Sequence, residues 1–293
     1  MFLLQTFPPP GDYQLVPFPV ALLGVTVFGA LIGSFLNVVI HRVPREESIV
    51  FPNSRCPSCG TAIRPYDNLP VLSWVALRGR CRSCRSPIAA RYPAVEALTA
   101  LLFALVLLRD GLSAQLLPDL VFVAALVSLV FIDAEHMILP DVITLPGIGL
   151  ALVARALVPN LDGLWFLTGG VMQGWPDWTV SLAGAALGAL AGGGTLWLLG
   201  WLWERLRGVE AMGLGDVKMM LAVGAYLGWP LTVLTLFLAV LAGSVAGLLI
   251  MLWRRDRDMQ MMLPFGIFLG TGSIIALLAG HRIVGWYVSH FIP

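Results

Sequence analysis

Long apolar segments dominate the chain and decide what it can fold into. Of its 293 residues, 58% are hydrophobic and only 12% are charged, whereas about a quarter of the residues in soluble domains are charged. A helix that crosses the hydrocarbon core of a membrane needs roughly 20 apolar residues. We predict such helices over residues 18–40, 94–108, 116–133, 138–158, 179–203, 216–229, 230–253 and 263–281. The predicted fold class is therefore an all-α polytopic membrane protein with about eight transmembrane helices.

Three further features bear on this arrangement of spans. Pro230 separates the sixth and seventh spans, but a proline can also kink one long helix, which would leave seven. Residues 159–178, between the fourth and fifth spans, contain three tryptophans, so we expect an interfacial loop with an aromatic belt. The first residues (1–14) lack a basic region and a small-residue cleavage site, so we expect no removable signal peptide.

Residues 41–93 differ in composition from the spans on either side of them. They hold nine arginines and all four cysteines of the chain. We predict a small water-exposed domain at this point, inserted between an N-terminal segment with the first helix (1–40) and a helical membrane domain (94–293).

The cysteines form two C-x-x-C pairs, Cys56 with Cys59 and Cys81 with Cys84. Two such pairs separated by about twenty residues are typical of a tetrahedral zinc site with four cysteine ligands. With four thiolates the coordination shell of the zinc is closed, so the metal would be structural rather than catalytic. A redox-active dithiol pair is the alternative.

The arginines are distributed unequally between the two sides of the membrane. With eight spans, one set of loops (41–93, 134–137, 204–215 and 254–262) holds the nine arginines above and five more, whereas the opposite set holds three. Loops rich in arginine and lysine stay in the cytoplasm. We therefore expect the cysteine-containing domain in the cytoplasm and both termini outside.

Two carboxylates fall at the same predicted membrane depth on different helices. Asp133 ends the third span, and Asp216 begins the sixth in the motif G-L-G-D, which contains Gly213 and Gly215. A carboxylate at this depth costs a few kcal/mol and usually has a functional or pairing reason. If the two carboxylates meet across a cleft, they share a proton, and one can act as general base while the other acts as general acid. The alternative is that both are ordinary residues at the level of the lipid headgroups.

Three neighbours of Asp133 compete with it for a functional role. Asp141 follows Pro140 and could equally serve as the N-terminal residue of a helix. His136 has no second ligand at metal spacing, and Glu135 could be a solvated charge.

Two other charged residues lie close to predicted membrane boundaries. Lys218 follows Asp216 by two positions, and it could extend to the interface or hold the field that keeps one carboxylate ionised. Glu96 lies near the start of the second span, where it could favour the helix N-terminus or line a pocket for a cationic ligand. The residues alone leave both questions open.

The motifs occur together in an order that resembles a known family. In chain order they are G-S-F-L-N-V-V-I-H-R-V-P, the two C-x-x-C pairs, R-Y-P-A-V-E, I-D-A-E-H-M-I-L-P-D and G-L-G-D-V-K. This order and placement resemble the bacterial type IV prepilin peptidases, and the resemblance covers nearly the whole chain.

The resemblance implies an aspartic endopeptidase of the GxGD class in the bacterial inner membrane. Such enzymes remove a basic leader peptide from type IV prepilins and type II secretion pseudopilins at the cytoplasmic face. By the family's pattern, Asp133 and Asp216 would be the catalytic pair, supported by Gly213, Gly215 and Lys218. The four cysteines match the family's zinc ligands.

Many members of that family also methylate the new N-terminus with S-adenosylmethionine, and we expect the same activity here. No Rossmann-type fingerprint marks a cofactor pocket, so the sequence does not place the cofactor site by residue. The region of Glu96 is a candidate for it. The expected partners are prepilins, pseudopilins and the lipid bilayer, without nucleic acid.

Two other functions fit parts of the sequence. A zinc-stabilised membrane transporter or scaffold would use the two aspartates to bind a proton or a cation, and it would show ion-dependent flux. An enzyme that is only an N-methyltransferase would keep its activity after loss of Asp133 or Asp216.

Overall fold

The fold is helical throughout the part of the chain that the structure covers. The computed structural model describes residues 17–160, 164, 170–208, 212–254 and 263–291. Within these ranges the only β pairing consists of two isolated antiparallel bridges, Arg55 with Ala62 and Arg80 with Pro87. The chain divides into two compact units, Met1–Ser128 and Leu129–Pro293, and the division falls inside one helix.

The first unit contains two long helices with the cysteine-containing segment between them. The helices that begin in this unit are α1 (Phe18–Arg42), the short α2 (Leu72–Ala76), α3 (Arg91–Asp110) and α4 (Leu116–His136), and single 3-10 turns lie at Val43–Arg45 and Pro65–Asn68. Proline at the start of α1 and a glycine with positive φ, Gly111, at the end of α3 fit the usual helix boundaries.

Helices α1 and α3 pack closely because glycines on α1 face α3. A Cβ atom at Gly29 would lie 2.9 Å from the Cα of Ala100, and one at Gly33 would lie 2.7 Å from the Cα of Glu96. Small residues at these two positions, one turn apart, let two membrane helices approach backbone to backbone.

The second unit holds the end of α4 and the remaining helices. They are α5 (Asp141–Leu157), α6 (Asp177–Ala189), α7 (Thr195–Arg207), α8 (Leu214–Leu227), α9 (Trp229–Arg254) and α10 (Phe265–Phe291). A short π-helical segment, Leu190–Gly194, joins α6 to α7, so residues 177–207 form one continuous helical stretch. Gly228 has a positive φ of 79° and separates α8 from α9, so Pro230 lies in the first turn of a new helix rather than at a kink in a long one.

Six helices are long and apolar enough to cross a membrane among the described residues. They are Phe18–Arg45, Arg91–Asp110, Leu116–His136, Asp177–Arg207, Trp229–Trp253 and Phe265–Phe291. The other two predicted spans correspond to α5 and α8, which have 17 and 14 residues. At about 1.5 Å per residue both are shorter than the roughly 30 Å hydrocarbon core. The chain is therefore an integral membrane protein, and the count of eight spans stays a prediction.

Some predictions fall on residues that the structure does not describe. Asp162 and Trp165 in the predicted outward loop, the arginines of 255–257 and the N-terminal residues 1–16 lie outside the described ranges. The aromatic belt, the signal-peptide prediction and part of the charge asymmetry therefore stay predictions.

Candidate active site

Asp133 lies in the last turn of α4 and points to the beginning of α10. The residue is only 5% exposed. Its Oδ2 atom accepts a hydrogen bond of 3.0 Å from the backbone N–H of Ile267. The first amides of a helix have no partner inside the helix, so the start of α10 can offer them to a carboxylate.

A glycine makes room for the Asp133 carboxylate at the start of α10. A Cβ atom on Gly266 would lie 2.8 Å from Oδ2 of Asp133 and 3.2 Å from Cδ1 of Leu139. Real Cβ atoms almost never approach a heavy atom within 3.0 Å. The absence of a side chain at position 266 therefore lets this carboxylate lie against α10.

Asp216 lies in the first turn of α8 and is half-buried. Helix α8 begins after Gly213, whose extended backbone (φ −68°, ψ 139°) is usual for an N-cap residue. Gly215, the residue before Asp216, packs against Leu139, and Leu139 also lies beside Gly266 at the start of α10, where the Asp133 carboxylate lies. The structure thus brings together, inside the second unit, the two aspartates that the sequence placed at equal depth on different helices.

Leu139 packs against both glycines that neighbour the aspartates. A Cβ atom on Gly215 would lie 3.0 Å from the Cβ of Leu139, the same side chain that faces Gly266. For Gly213, in contrast, no atom of the described residues lies nearer than 4.0 Å to such a Cβ. Close packing therefore accounts for the second glycine of the G-L-G-D motif and not for the first.

Lys218 pairs with Asp141 on the neighbouring helix α5. Its Nζ atom donates to both carboxylate oxygens of Asp141 at 2.8 Å. The Asp141 side chain is 56% exposed, in contrast to the buried Asp133. Lys218 therefore pairs with Asp141 rather than with Asp133 or Asp216. Asp141, in turn, forms an ion pair at the surface.

Sequence reasoning missed Leu139, Gly266 and the backbone of Ile267. Ile267 is separated from Asp133 by 134 residues, so no local spacing connects them. The only sequence signal is a glycine at the second position of an apolar helix, where it has a low helix propensity.

The four cysteines form one compact cluster in the first unit. Their sulfur atoms all lie within 4.8 Å of one another, and the Sγ atoms of Cys56 and Cys84 are 3.8 Å apart. Zinc–sulfur bonds of about 2.3 Å in a tetrahedron require sulfurs about 3.8 Å apart. The cluster therefore has the donor set and the dimensions of a metal site with four cysteine ligands.

The two C-x-x-C turns share one backbone geometry. The N–H of Gly60 donates to the carbonyl of Cys56 at 2.8 Å, and the N–H of Arg85 donates to the carbonyl of Cys81 at 3.0 Å. Gly60 and Arg85 both have a positive φ, of 69° and 61°. The backbone N–H of Cys59 lowers the pKa of the Cys56 thiol to about 6, which favours the thiolate that a metal binds.

Glu96 uses its carboxylate within the first unit. It is 9% exposed, and its Oε2 atom accepts a hydrogen bond of 2.7 Å from the backbone N–H of Val71. Val71 precedes α2 and has a positive φ of 60°, which is rare for a β-branched residue. In this arrangement Glu96 holds a strained turn of the cysteine-containing segment against α3.

Comparison with known proteins decides the family. A model of the bacterial peptidase A24 N-terminal domain matches residues 27–109, and a model of the type IV leader peptidase family matches residues 120–248. The chain is 38% identical over 292 residues to the prepilin leader peptidase/N-methyltransferase of Aeromonas hydrophila, in a match that covers 92% of this chain and 94% of that protein. The chain belongs to the type IV leader peptidase family. The family inferred from the motifs is thereby confirmed.

Other relatives in the family agree. The prepilin leader peptidase/N-methyltransferase of Pseudomonas aeruginosa is 37% identical over 301 residues, covering 94% of this chain and 97% of that protein. The one from Myxococcus xanthus is 43% identical over 235 residues, covering 80% of this chain and 64% of that protein. No solved structure matches the chain. The region that matches the leader peptidase model includes both aspartates and ends before α10.

Proposed function

We propose that this leader peptidase removes the basic leader from type IV prepilins and type II secretion pseudopilins and methylates the new N-terminus. The names of its relatives support both activities. The observation that carries the proposal is that Asp133 and Asp216 lie at the ends of two different helices, each next to a glycine that packs against Leu139.

The two carboxylates would act as general base and general acid in peptide hydrolysis. One takes a proton from a water molecule as the water oxygen attacks the carbonyl carbon of the scissile bond. The other, protonated, donates a hydrogen bond to the carbonyl oxygen of the same bond. The tetrahedral intermediate then collapses, the C–N bond breaks, and the carboxylic acid formed when the base took the proton of the water gives that proton to the leaving nitrogen. Two like charges at close range favour this sharing of one proton.

We propose that the four-cysteine cluster holds a structural zinc ion. Cys56, Cys59, Cys81 and Cys84 would provide all four ligands, which leaves no open position for water or substrate. The bound ion would fix the fold of the 41–93 domain. Measuring one zinc per chain in the wild type, and its loss in Cys59→Ser, would test this assignment.

S-adenosylmethionine would supply the methyl group of the second reaction. The new N-terminal ammonium must lose one proton before its nitrogen can accept a methyl group, and S-adenosylhomocysteine would be the leaving group. The methylated amine then carries the same charge as the original ammonium. We assign no residues of this chain to the cofactor.

For the topology, we propose that α5 and α8 complete an eight-helix arrangement in the bacterial inner membrane. The membrane domain (94–293) would follow the cytoplasmic domain (41–93), and both termini would be periplasmic. The excess of arginines in one set of loops supports this orientation. In this orientation the end of α4 and the start of α8, and hence the aspartate pair, would lie at the cytoplasmic face.

Cleavage of a model prepilin in detergent, followed by mass spectrometry, tests the function directly. Wild-type protein should cut the leader, whereas Asp133→Asn and Asp216→Asn should each abolish cleavage without loss of folded protein. A further ~14 Da on the mature N-terminus, the mass of one methylene added when a methyl group replaces a proton, would show methylation. Wild-type protein that cuts no prepilin, or an Asn variant that cuts at the wild-type rate, would contradict the proposal.

A further inference from the structure

We propose that the first turn of α10 is part of the active site, where Gly266 and the backbone of Ile267 are positioning residues for Asp133. The inference rests on the proposed function, because it takes Asp133 as one of the two catalytic carboxylates. The leader peptidase family model ends at residue 248, so it assigns nothing to α10.

Two adjacent residues in the first turn of α10 contact the same oxygen of the Asp133 carboxylate. The N–H of Ile267 donates to Oδ2 at 3.0 Å, and the backbone of Gly266 lies directly against the same oxygen. The hydrogen bond from Ile267 orients the Asp133 carboxylate. The contact with Gly266 sets the distance between that carboxylate and α10. An aspartate at a helix end would otherwise rotate among several side-chain conformations.

Helix α10 is itself held in place on both sides near this turn. A Cβ atom on Gly270, one turn further along, would overlap the side chain of Val130 on α4. A Cβ atom on Gly272 would lie 3.1 Å from the carbonyl oxygen of Thr235 on α9. Helix α10 is therefore closely packed against both α4 and α9. A methyl group added at Gly266 would move the Asp133 carboxylate rather than the helix.

Movement of Asp133 would change its position relative to Asp216. Leu139 packs against Gly266 and against Gly215, the residue before Asp216. A Cβ atom on Gly266 would lie 3.2 Å from Cδ1 of Leu139, and one on Gly215 would lie 3.0 Å from its Cβ. Leu139 thus contacts both the glycine that faces Asp133 and the glycine that precedes Asp216. Displacement of a catalytic group by about 1 Å can lower the rate by about 100-fold.

The first test is Gly266→Ala, measured as kcat and KM on a model prepilin in detergent. We expect kcat to fall about 10- to 100-fold while KM changes less than about threefold. Gly285→Ala is the matched control, because it lies on the same helix and has no atom within 4 Å of the added Cβ. Its kcat should stay within about twofold of the wild type.

The second test removes the hydrogen bond without adding bulk. Replacing Ile267 by the corresponding α-hydroxy acid turns its N–H into an ester oxygen, which cannot donate to Asp133. Because a first-turn N–H has no partner inside the helix, the substitution breaks no helical hydrogen bond. We expect a decrease in kcat of about 10-fold or more, with an unchanged apparent Tm.

The outcomes separate this inference from the proposed function. An ester variant whose kcat stays within about twofold of the wild type would overturn the inference, even if Gly266→Ala fails to fold. The parallel Asp133→Asn variant tests the underlying assignment. If Asp133→Asn still cuts, the catalytic pair is wrong; if Asp133→Asn is inactive and the ester variant is normal, only the role of α10 is wrong.

Discussion

Gly188 on α6 and Gly224 on α8 touch each other through their backbones. A Cβ atom on either glycine would overlap the carbonyl oxygen of the other. Close approach of this kind is typical of membrane helices that pack through small residues. The contact fixes α8, the helix that carries Asp216, against α6.

Gly224→Ala should destabilise the protein, because the added methyl group has no space. Overpacking of a closely packed contact costs about 1–3 kcal/mol, so we expect a clear decrease in the apparent Tm in detergent. Gly200→Ala on α7 is the control, since no atom lies within 4 Å of its added Cβ. Equal Tm values for the two variants would show that the two glycines do not touch in the folded protein.

The π-helical segment offers a comparison between adjacent glycines. A Cβ on Gly193 would overlap Leu221 and lie 2.7 Å from the carbonyl oxygen of Val217, which follows Asp216 in the chain. A Cβ on Gly194 would make only ordinary contacts of 3.6 Å with Leu190. We expect Gly193→Ala to lower both the apparent Tm and the cleavage rate, and Gly194→Ala to change neither. Similar results for both variants would argue against this packing of α8.

Asp141→Asn should retain most of the cleavage activity. The Asp141 side chain is 56% exposed and paired with Lys218, and an exposed ion pair contributes about 0–1 kcal/mol to stability. We expect kcat within a few-fold of the wild type, with Asp133→Asn as the inactive comparison. An inactive but folded Asp141→Asn variant would make Asp141 the better candidate for catalysis.

Replacing the glycine of one cysteine turn, and introducing a glycine into the other, should change the rate of zinc release in opposite directions. Gly60 and Arg85 occupy equivalent positions with positive φ, where a side chain costs about 1–2 kcal/mol. Gly60→Ala should speed the release of zinc to a chelator, and Arg85→Gly should slow it. Arg80→Gly is the control, because Arg80 is not among the residues with positive φ. Slower release from Gly60→Ala than from the wild type would contradict the equivalence of the two turns.

Much of the local structure follows from sequence patterns. The first span was predicted at 18–40 and α1 covers Phe18–Arg42, while the third was predicted at 116–133 and α4 covers Leu116–His136. The last span was predicted to end at 281, but α10 continues to Phe291. Its final turns contain charged and aromatic residues, which lower the hydropathy without breaking a helix.

The C-x-x-C spacing predicted a cluster of four cysteines, and the structure brings the four sulfurs together. The prediction was correct because each C-x-x-C turn brings two sulfurs together locally. Only one contact between distant parts of the chain, that between the two turns, then has to form. The role of Glu96 could not be predicted in this way. Its partner is the N–H of Val71, and a backbone donor in a strained turn leaves no signal in residue type.

The sequence by itself determined the membrane character, the helical class, the cysteine cluster and the family, because hydropathy, composition and motif spacing are local properties of the chain. The tertiary structure decided which groups surround each aspartate. Ile267 and Gly266 meet Asp133 across 134 and 133 positions of the chain, and Lys218 meets Asp141 across 77. Contacts at such separations depend on how helices pack against one another, and a residue-type pattern does not show which backbone amide or which glycine will face a given side chain.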